Sequence, residues 1–95
     1  MYMNKFQQGL NEFSNLCLSA KDDKFISQLF DLFFTSEERN DLAMRYWIIK
    51  ELILGEKTQR QIAEDLQVSI AKITRGSNEI KRMSPKFLNY LKEHL

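Results

Sequence analysis

Three glycines (Gly9, Gly55, Gly76) and one proline (Pro85) are the only residues of those two types in 95, and that scarcity sets the fold class. Strands joined by hairpins need turn signals roughly every 8–12 residues. Alternation of β-branched with polar residues is absent as well. Helix is therefore the expected element, and the apolar spacing supports it. Phe6, Leu10, Phe13, Leu16 and Ala20 recur at intervals of 4, 3, 3 and 4, which lines one helix face.

The starts and stops of the helices are written in capping residues. Lys21-Asp22-Asp23-Lys24 is a polar break in which Asp22 or Asp23 suits the N-cap of a second helix. That helix carries Phe25, Ile26, Leu29, Phe30, Leu32, Phe33 and Phe34, nearly apolar all round at its end. Thr35 and Glu38 have capping-box spacing, and Glu37 and Glu38 complement the dipole of a third helix. This helix runs through Leu42, Trp47, Ile48, Ile49, Leu52 and Ile53 to Gly55, a natural residue for the position past a helix end. Thr58 and Gln61 open a short fourth helix that stops near Leu66, Ser69 caps a fifth, and Ser84-Pro85 starts a sixth.

Composition limits the chemistry. A single cysteine, Cys17, excludes an internal disulfide framework and a multi-cysteine zinc site, and it reads as a small core residue. A single histidine, His94, excludes most histidine-based metal and triad chemistry. We expect no catalytic residue, no metal and no cofactor. No apolar run reaches the ~18–20 residues of a membrane span, and the first residues lack the basic and apolar regions of a secretory signal. A soluble, cytoplasmic protein without membrane attachment is expected. Hydrophobic residues make up 43% and aromatic residues 12%, more than a chain this short hides easily, which favours an oligomer. The formal net charge is only +1, but it is unevenly placed. Residues 1–44 carry four bases against seven acids, and residues 45–95 carry ten against six. The basic half is the half with short helices.

Within it, Gln59 to Asn78 (QRQIAEDLQVSIAKITRGSN) meets the requirements of a helix-turn-helix. Ala63 is the small residue needed where the helices cross. Ile62, Leu66, Val68, Ile70 and Ile73 supply an inner apolar face, and Leu66 to Ser69 brackets a turn of about three or four residues. Ala71, Lys72, Thr74 and Arg75 offer small, polar or basic side chains outward. Gln67 stands where glycine commonly eases the turn, and it can take the left-handed conformation only at a cost. The plainer alternative is a helical hairpin that packs a core and touches no DNA; the basic excess and the paired caps favour DNA. Gln59 and Arg60 at the start of the fourth helix can meet phosphate or guanine, while Lys81, Arg82 and Lys86 suit phosphates.

Ile73-Thr-Arg-Gly-Ser-Asn78, preceded by Thr58-Gln-Arg60 and Ser36-Glu-Glu-Arg39, closely resembles the bacterial tryptophan repressor family. The resemblance covers about residues 29–95; the first 25 or so match only in being helical. Trp repressors are themselves standard examples of helix-turn-helix docking. The resemblance implies an all-α, six-helix intertwined homodimer that binds palindromic double-stranded operator DNA when L-tryptophan is present as corepressor. It implies one domain over residues 1–95, with 1–56 as dimerisation core, 58–80 as helix-turn-helix and 84–95 as C-terminal helix. Arg45 and Arg75 would sandwich the indole, Arg75 and Thr35 would meet the carboxylate, and backbone carbonyls near Leu32 and Phe34 would take the ammonium. Gly76 would allow close approach of the ligand. The DNA-contacting set would be Gln59, Arg60, Ser69, Ile70, Ala71, Lys72, Thr74 and Lys81.

The residues themselves leave alternatives open at two of these positions. Taken alone, Arg45 reads as a solvated surface residue, and Gly76 as a helix C-cap with Ser77 or Asn78 starting the next helix. Four departures from the family pattern stand out. Glu79 replaces a serine that helps hold the ligand's amino group, and its carboxylate can pair with that ammonium or with Arg75 or Arg82. Lys72 replaces a small hydroxyl residue, and Gln67 and Ser69 replace small residues in the turn. Two other functions remain: a helix-turn-helix regulator with a different effector or none, and a helical interaction protein without enzymatic activity.

Overall fold

A computed structural model of the chain describes residues 4–95; residues 1–3, included in the expected dimerisation core, lie outside them. The described residues are all-helical, as the turn scarcity predicts. The helices are α1 (Lys5–Ser19), α2 (Asp23–Phe33), α3 (Ser36–Leu54), α4 (Gln59–Leu66), α5 (Ile70–Lys81) and α6 (Pro85–His94). The chain forms two compact units, Met1–Arg39 and Asn40–Leu95, with the boundary inside α3.

In the first unit the caps are local and complete. Asn4 Oδ1 accepts from Gln7 N–H at 2.8 Å and Asn4 N–H donates to Gln7 Oε1 at 3.3 Å, a capping box that the sequence reading did not single out. Asp22, not Asp23, caps α2 by accepting from Phe25 N–H at 2.9 Å. Thr35 and Glu38 form the expected reciprocal pair at 2.9 and 3.1 Å. The Thr35 backbone N–H first, and its hydroxyl second, hold the Glu38 carboxyl below its ordinary value by hydrogen bonding to the charged form. Phe13 meets Phe33 and Phe34 edge-on at 5.2 and 5.7 Å between ring centres. The rest of the α1 stripe stays open: Phe6 is 86% and Leu10 71% exposed, and neither α1 nor α2 contains a buried residue.

The second unit has a small core of one isoleucine from each of three helices: Ile48 of α3, Ile62 of α4 and Ile73 of α5. Met44, Leu52, Ala63, Leu66 and Val68 pack against them. Ala63 thus lies against the core, where a larger side chain would wedge α4 away from it. Ile70 is a correction, because it is half exposed at the start of α5 and does not join this core. It follows the cap directly, before the first full turn can direct it inward. Thr58 and Gln61 make their capping box (2.8 and 3.1 Å), and Ser69 and Ser84 cap α5 and α6.

Among the described residues two positions turn the chain through positive φ: Gly55 at +69° after α3, and Gln67 at +56° after α4. Glycine reaches that region freely, but glutamine is strained there by its Cβ. Gln67→Gly is expected to raise stability by roughly 0.5–1 kcal/mol, the left-handed strain outweighing the extra freedom glycine brings to the unfolded chain. Denaturant unfolding reads this directly, and an unchanged or lower midpoint would mean that the turn stores no strain at Gln67.

Candidate nucleic-acid interface and ligand cleft

α4 and α5 carry the expected DNA-facing residues on their leading ends. Arg60, Ser69, Ala71, Lys72 and Thr74 are exposed, Ile70 is half exposed, and Gln59 is half buried. Arg60 and Glu64 of α4 and Ile70 of α5 surround a shallow hollow floored by Ala63 and Val68. The Thr74 hydroxyl lies 3.2 Å from Gln59 Oε1 and 3.1 Å from the Ile70 carbonyl, and donates to one at a time. Through the first of these bonds the two helices fix each other's polar side chains. Lys81 stands apart from this cluster: eleven residues of helical rise put it about 16 Å from Ile70, at the other end of α5.

Behind α5 lies a cleft of about 770 Å³ against α3. Its floor is apolar, from Met44, Ile48 and Ile49, and its rim carries Arg45, Lys72, Arg75 and Glu79 beside Gly76. The expected partners Arg45, Arg75, Gly76 and Glu79 are therefore brought together within the second unit. Leu32, Phe34 and Thr35 belong to the first unit. The Phe34 carbonyl already accepts from Arg39 Nη1 at 2.7 Å. Thr35 spends its backbone N–H and a hydroxyl lone pair on the Glu38 box.

Charge in the cleft is unevenly satisfied. Among the described residues no carboxylate lies within ion-pair distance of Arg45, Lys72 or Arg75. Glu79 pairs with Arg82 at 3.3 Å, both largely exposed, and not with Arg75. Of the pairings the sequence left open within the chain, this one is realised. Lys72 was singled out for DNA, and the structure adds that it lines the ligand side of α5 as well. Asp41, unmarked in the sequence, also lines the cleft. Its helical spacing of four from Arg45 was the available signal.

Gly76 is not the helix C-cap that its residue type suggested, although it lies on the cleft. α5 continues through it to Lys81. A Cβ there would stand 3.0 Å from Ile48 Cγ2 and 3.4 Å from Leu52 Cδ1. The missing side chain lets α5 lie close on α3, quite apart from any ligand. Lys57 makes a second tie that sequence reasoning missed: Nζ bridges Asp65 at 2.8 Å and Glu51 at 3.4 Å, linking the ends of α4 and α3. These two carboxylates, Asp65 foremost, raise the Lys57 pKa above its usual value.

A short helix pair crossing behind an exposed basic end, with a cleft at its back, is the architecture of helix-turn-helix DNA-binding regulators. The chain matches the family model described as Trp repressor protein over residues 8–95. It belongs to the Trp repressor family, a family of transcription regulators that repress by binding DNA. The match takes in most of α1, where the sequence reading found only helical character. The chain is 46% identical over 92 residues to the Trp operon repressor homolog of Chlamydia trachomatis serovar D, covering 97% of this chain and 98% of that one. The Chlamydia caviae homolog is 42% identical over 86 residues (90% and 85%), and the Haemophilus influenzae Rd homolog 35% over 95 (100% and 94%). Among the described residues no helix is long and apolar enough to cross a membrane.

Gly76→Ala separates close packing from helix propensity. Alanine gains about 1 kcal/mol of helix propensity, but an added methyl in a filled contact costs roughly 1–3 kcal/mol. Ile48, 4% exposed, has little room to yield. A net loss of about 1 kcal/mol in thermal unfolding is expected from these opposing effects. A variant as stable as the wild type would show that α3 can retreat.

Proposed function

We propose that this chain is a tryptophan-responsive repressor that binds a palindromic operator as a homodimer in the bacterial cytoplasm. The observation that carries this reading is the cleft behind α5. It joins an apolar floor to three cations, Arg45, Lys72 and Arg75, that have no carboxylate partner among the described residues. A guanidinium stacks on an aromatic face and forks onto a carboxylate, and indole is the best such face. A ligand with both groups uses both abilities at once. The resemblance adds Leu32, Phe34 and Thr35 to the ligand-holding residues, and the exposed Phe6, Leu10 and Leu18 suit burial against a second copy. Residues 1–56 would then serve as dimerisation core, 58–80 as reading head and 84–95 as a C-terminal support.

On this reading Ser69, Ile70, Ala71, Lys72 and Thr74 enter the major groove with Gln59 and Arg60, while Lys81 holds a phosphate. Ligand and operator favour the same arrangement of α5, so each tightens the binding of the other. A different effector is the second reading, and the Glu79 carboxylate on the cleft rim favours it.

Titration calorimetry with L-tryptophan, L-phenylalanine and indole tests the proposal. Saturable binding of about one tryptophan per chain is expected, selective over the other two. Arg75→Ala is expected to weaken it by at least about tenfold, the loss of one or two charge-assisted hydrogen bonds, with an unchanged circular dichroism spectrum. Undiminished affinity in that variant would remove Arg75 from the site. Operator titrations over a salt series test the DNA half. Lys72→Ala is expected to lower affinity and flatten the log–log salt slope by up to about one unit; an identical slope would make Lys72 no phosphate contact.

A further inference from the structure

One ammonium serves two helix ends. Glu51 lies in the last turn of α3 and Asp65 in the last turn of α4, where the partial negative charge of a helix C-terminus disfavours an acid. Neither helix carries a base in its last turn. Lys57, in the connection between them, supplies the missing charge. Its Nζ stands 2.8 Å from Asp65 Oδ2 and 3.4 Å from Glu51 Oε2. The Glu51 side chain is 19% accessible against 53% for Asp65, so the α3 end of this clasp is the covered one. Among the described residues no other ion pair reaches α4. Lys57 also directly precedes Thr58, the N-cap of α4, and the first residues of that helix are Gln59 and Arg60.

We propose that Lys57 is a positioning residue for DNA recognition: by holding Asp65 and Glu51 together it fixes α4, with Gln59 and Arg60, in the orientation that meets the duplex. The inference rests on the reading of α4 and α5 as a DNA-reading pair and adds which residues set its stance on α3. The α5 side of α4 is held separately, by the contact of Ile62 with Ile73 and the Thr74–Gln59 bond. Without the clasp, the α3 side has only apolar contacts, which are not directional. Simple electrostatics assigns Asp65 the opposite role. A carboxylate on a reading head repels phosphates, and its removal ordinarily strengthens binding. If the clasp positions α4, neutralising Asp65 weakens binding although the head becomes more positive. The sign of that change separates the two roles. The exposed ion pairs of Lys57 add little to overall stability, so their effect falls on where α4 stands more than on whether the chain folds.

The test is DNA titration of the full-length chain as wild type, Lys57→Met, Lys57→Arg, Asp65→Asn and the Lys57→Met/Asp65→Asn double variant. The probe is the duplex that the wild type selects from a random-sequence pool, in selections with and without L-tryptophan. Circular dichroism at the same temperature checks that each variant is folded. Lys57→Met and Asp65→Asn are each expected to weaken binding by about twofold to fivefold. The double variant is expected to lose no more than either single one, since both remove the same tie. Lys57→Arg, whose guanidinium can still bridge two carboxylates, is expected to stay within about twofold of the wild type. Unchanged or tighter binding by Asp65→Asn overturns the inference and leaves the DNA reading intact. Additive losses in the double variant overturn it too, because Lys57 would then act on the duplex by itself. If binding ignores L-tryptophan but falls in both single variants, the inference stands and the tryptophan reading falls. If no duplex is selected, the inference and the DNA reading fall together.

Discussion

The second unit depends on the approach of α5 to α3 at Gly76. With no Cβ in the way, Ile48 and Leu52 of α3 reach the backbone of α5, and a methyl group would come within 3.0 Å of Ile48. Ile48 then completes a core with Ile62 and Ile73, one residue from each helix. Each such side chain contributes roughly 2 kcal/mol when fully buried, so the three set the α3–α4–α5 arrangement without a large core. The same contact fixes where Arg45 and Arg75 stand. Both lie on the faces that Gly76 and Ile48 bring together, and the cleft opens beside that contact.

The charged residues are sorted by this packing. Lys57 finds two carboxylates because the turn after α3 carries it between the last turns of α3 and α4. Arg39 finds the Asp31 side chain at 3.8 Å and the Phe34 carbonyl in the first unit. Such residues serve the fold. Among the described residues Arg45, Lys72 and Arg75 find no acid within ion-pair distance, although Asp41 and Glu79 line the same cleft. Oppositely charged side chains one turn apart on an exposed helix face gain only a few tenths of a kcal/mol by pairing, so these groups turn to a ligand at small cost. Their availability, more than the number of bases, marks the cleft as a place where a ligand has something to gain.

What the sequence made legible follows the range of each interaction. The boxes at Thr35–Glu38 and Thr58–Gln61, and the caps at Ser69 and Ser84, act across three residues, and local sequence carries their whole physics. The box at Asn4–Gln7 was legible in the same way, since Asn and Gln have the right spacing. Gly76 was not. A glycine late in a short helix looks like a cap, and only the side chains of Ile48 and Leu52, more than twenty residues earlier, give it another purpose. Asp41 and the Lys57 bridges escaped for the same reason. Ile70 was misplaced because an apolar residue next to a cap carries no signal of which way the first turn faces. The cluster of Arg45, Arg75 and Glu79 was anticipated by resemblance alone; residue by residue, Arg45 reads as an ordinary solvated base.

A reading head built this way is held by little, and that bears on how an effector acts. Ile62 and Ile73 are its only fully buried side chains, and around them lie Ile48, the half-buried Met44, Leu52, Ala63, Leu66 and Val68, the Gly76 contact, the Thr74–Gln59 bond and the ion pairs of Lys57. Segments with few buried contacts open at low free energy and sample more than one arrangement. On the proposed mechanism, a ligand bridging Arg45 of α3 and Arg75 of α5 adds contacts comparable in strength to those already holding the two helices together. A ligand can shift an equilibrium only by the difference in its affinity for the two states. Where native contacts are few, that difference is a large share of the total, and a small amino acid suffices to fix the orientation of α5. A larger core would hold the helices more firmly and leave the ligand less to decide.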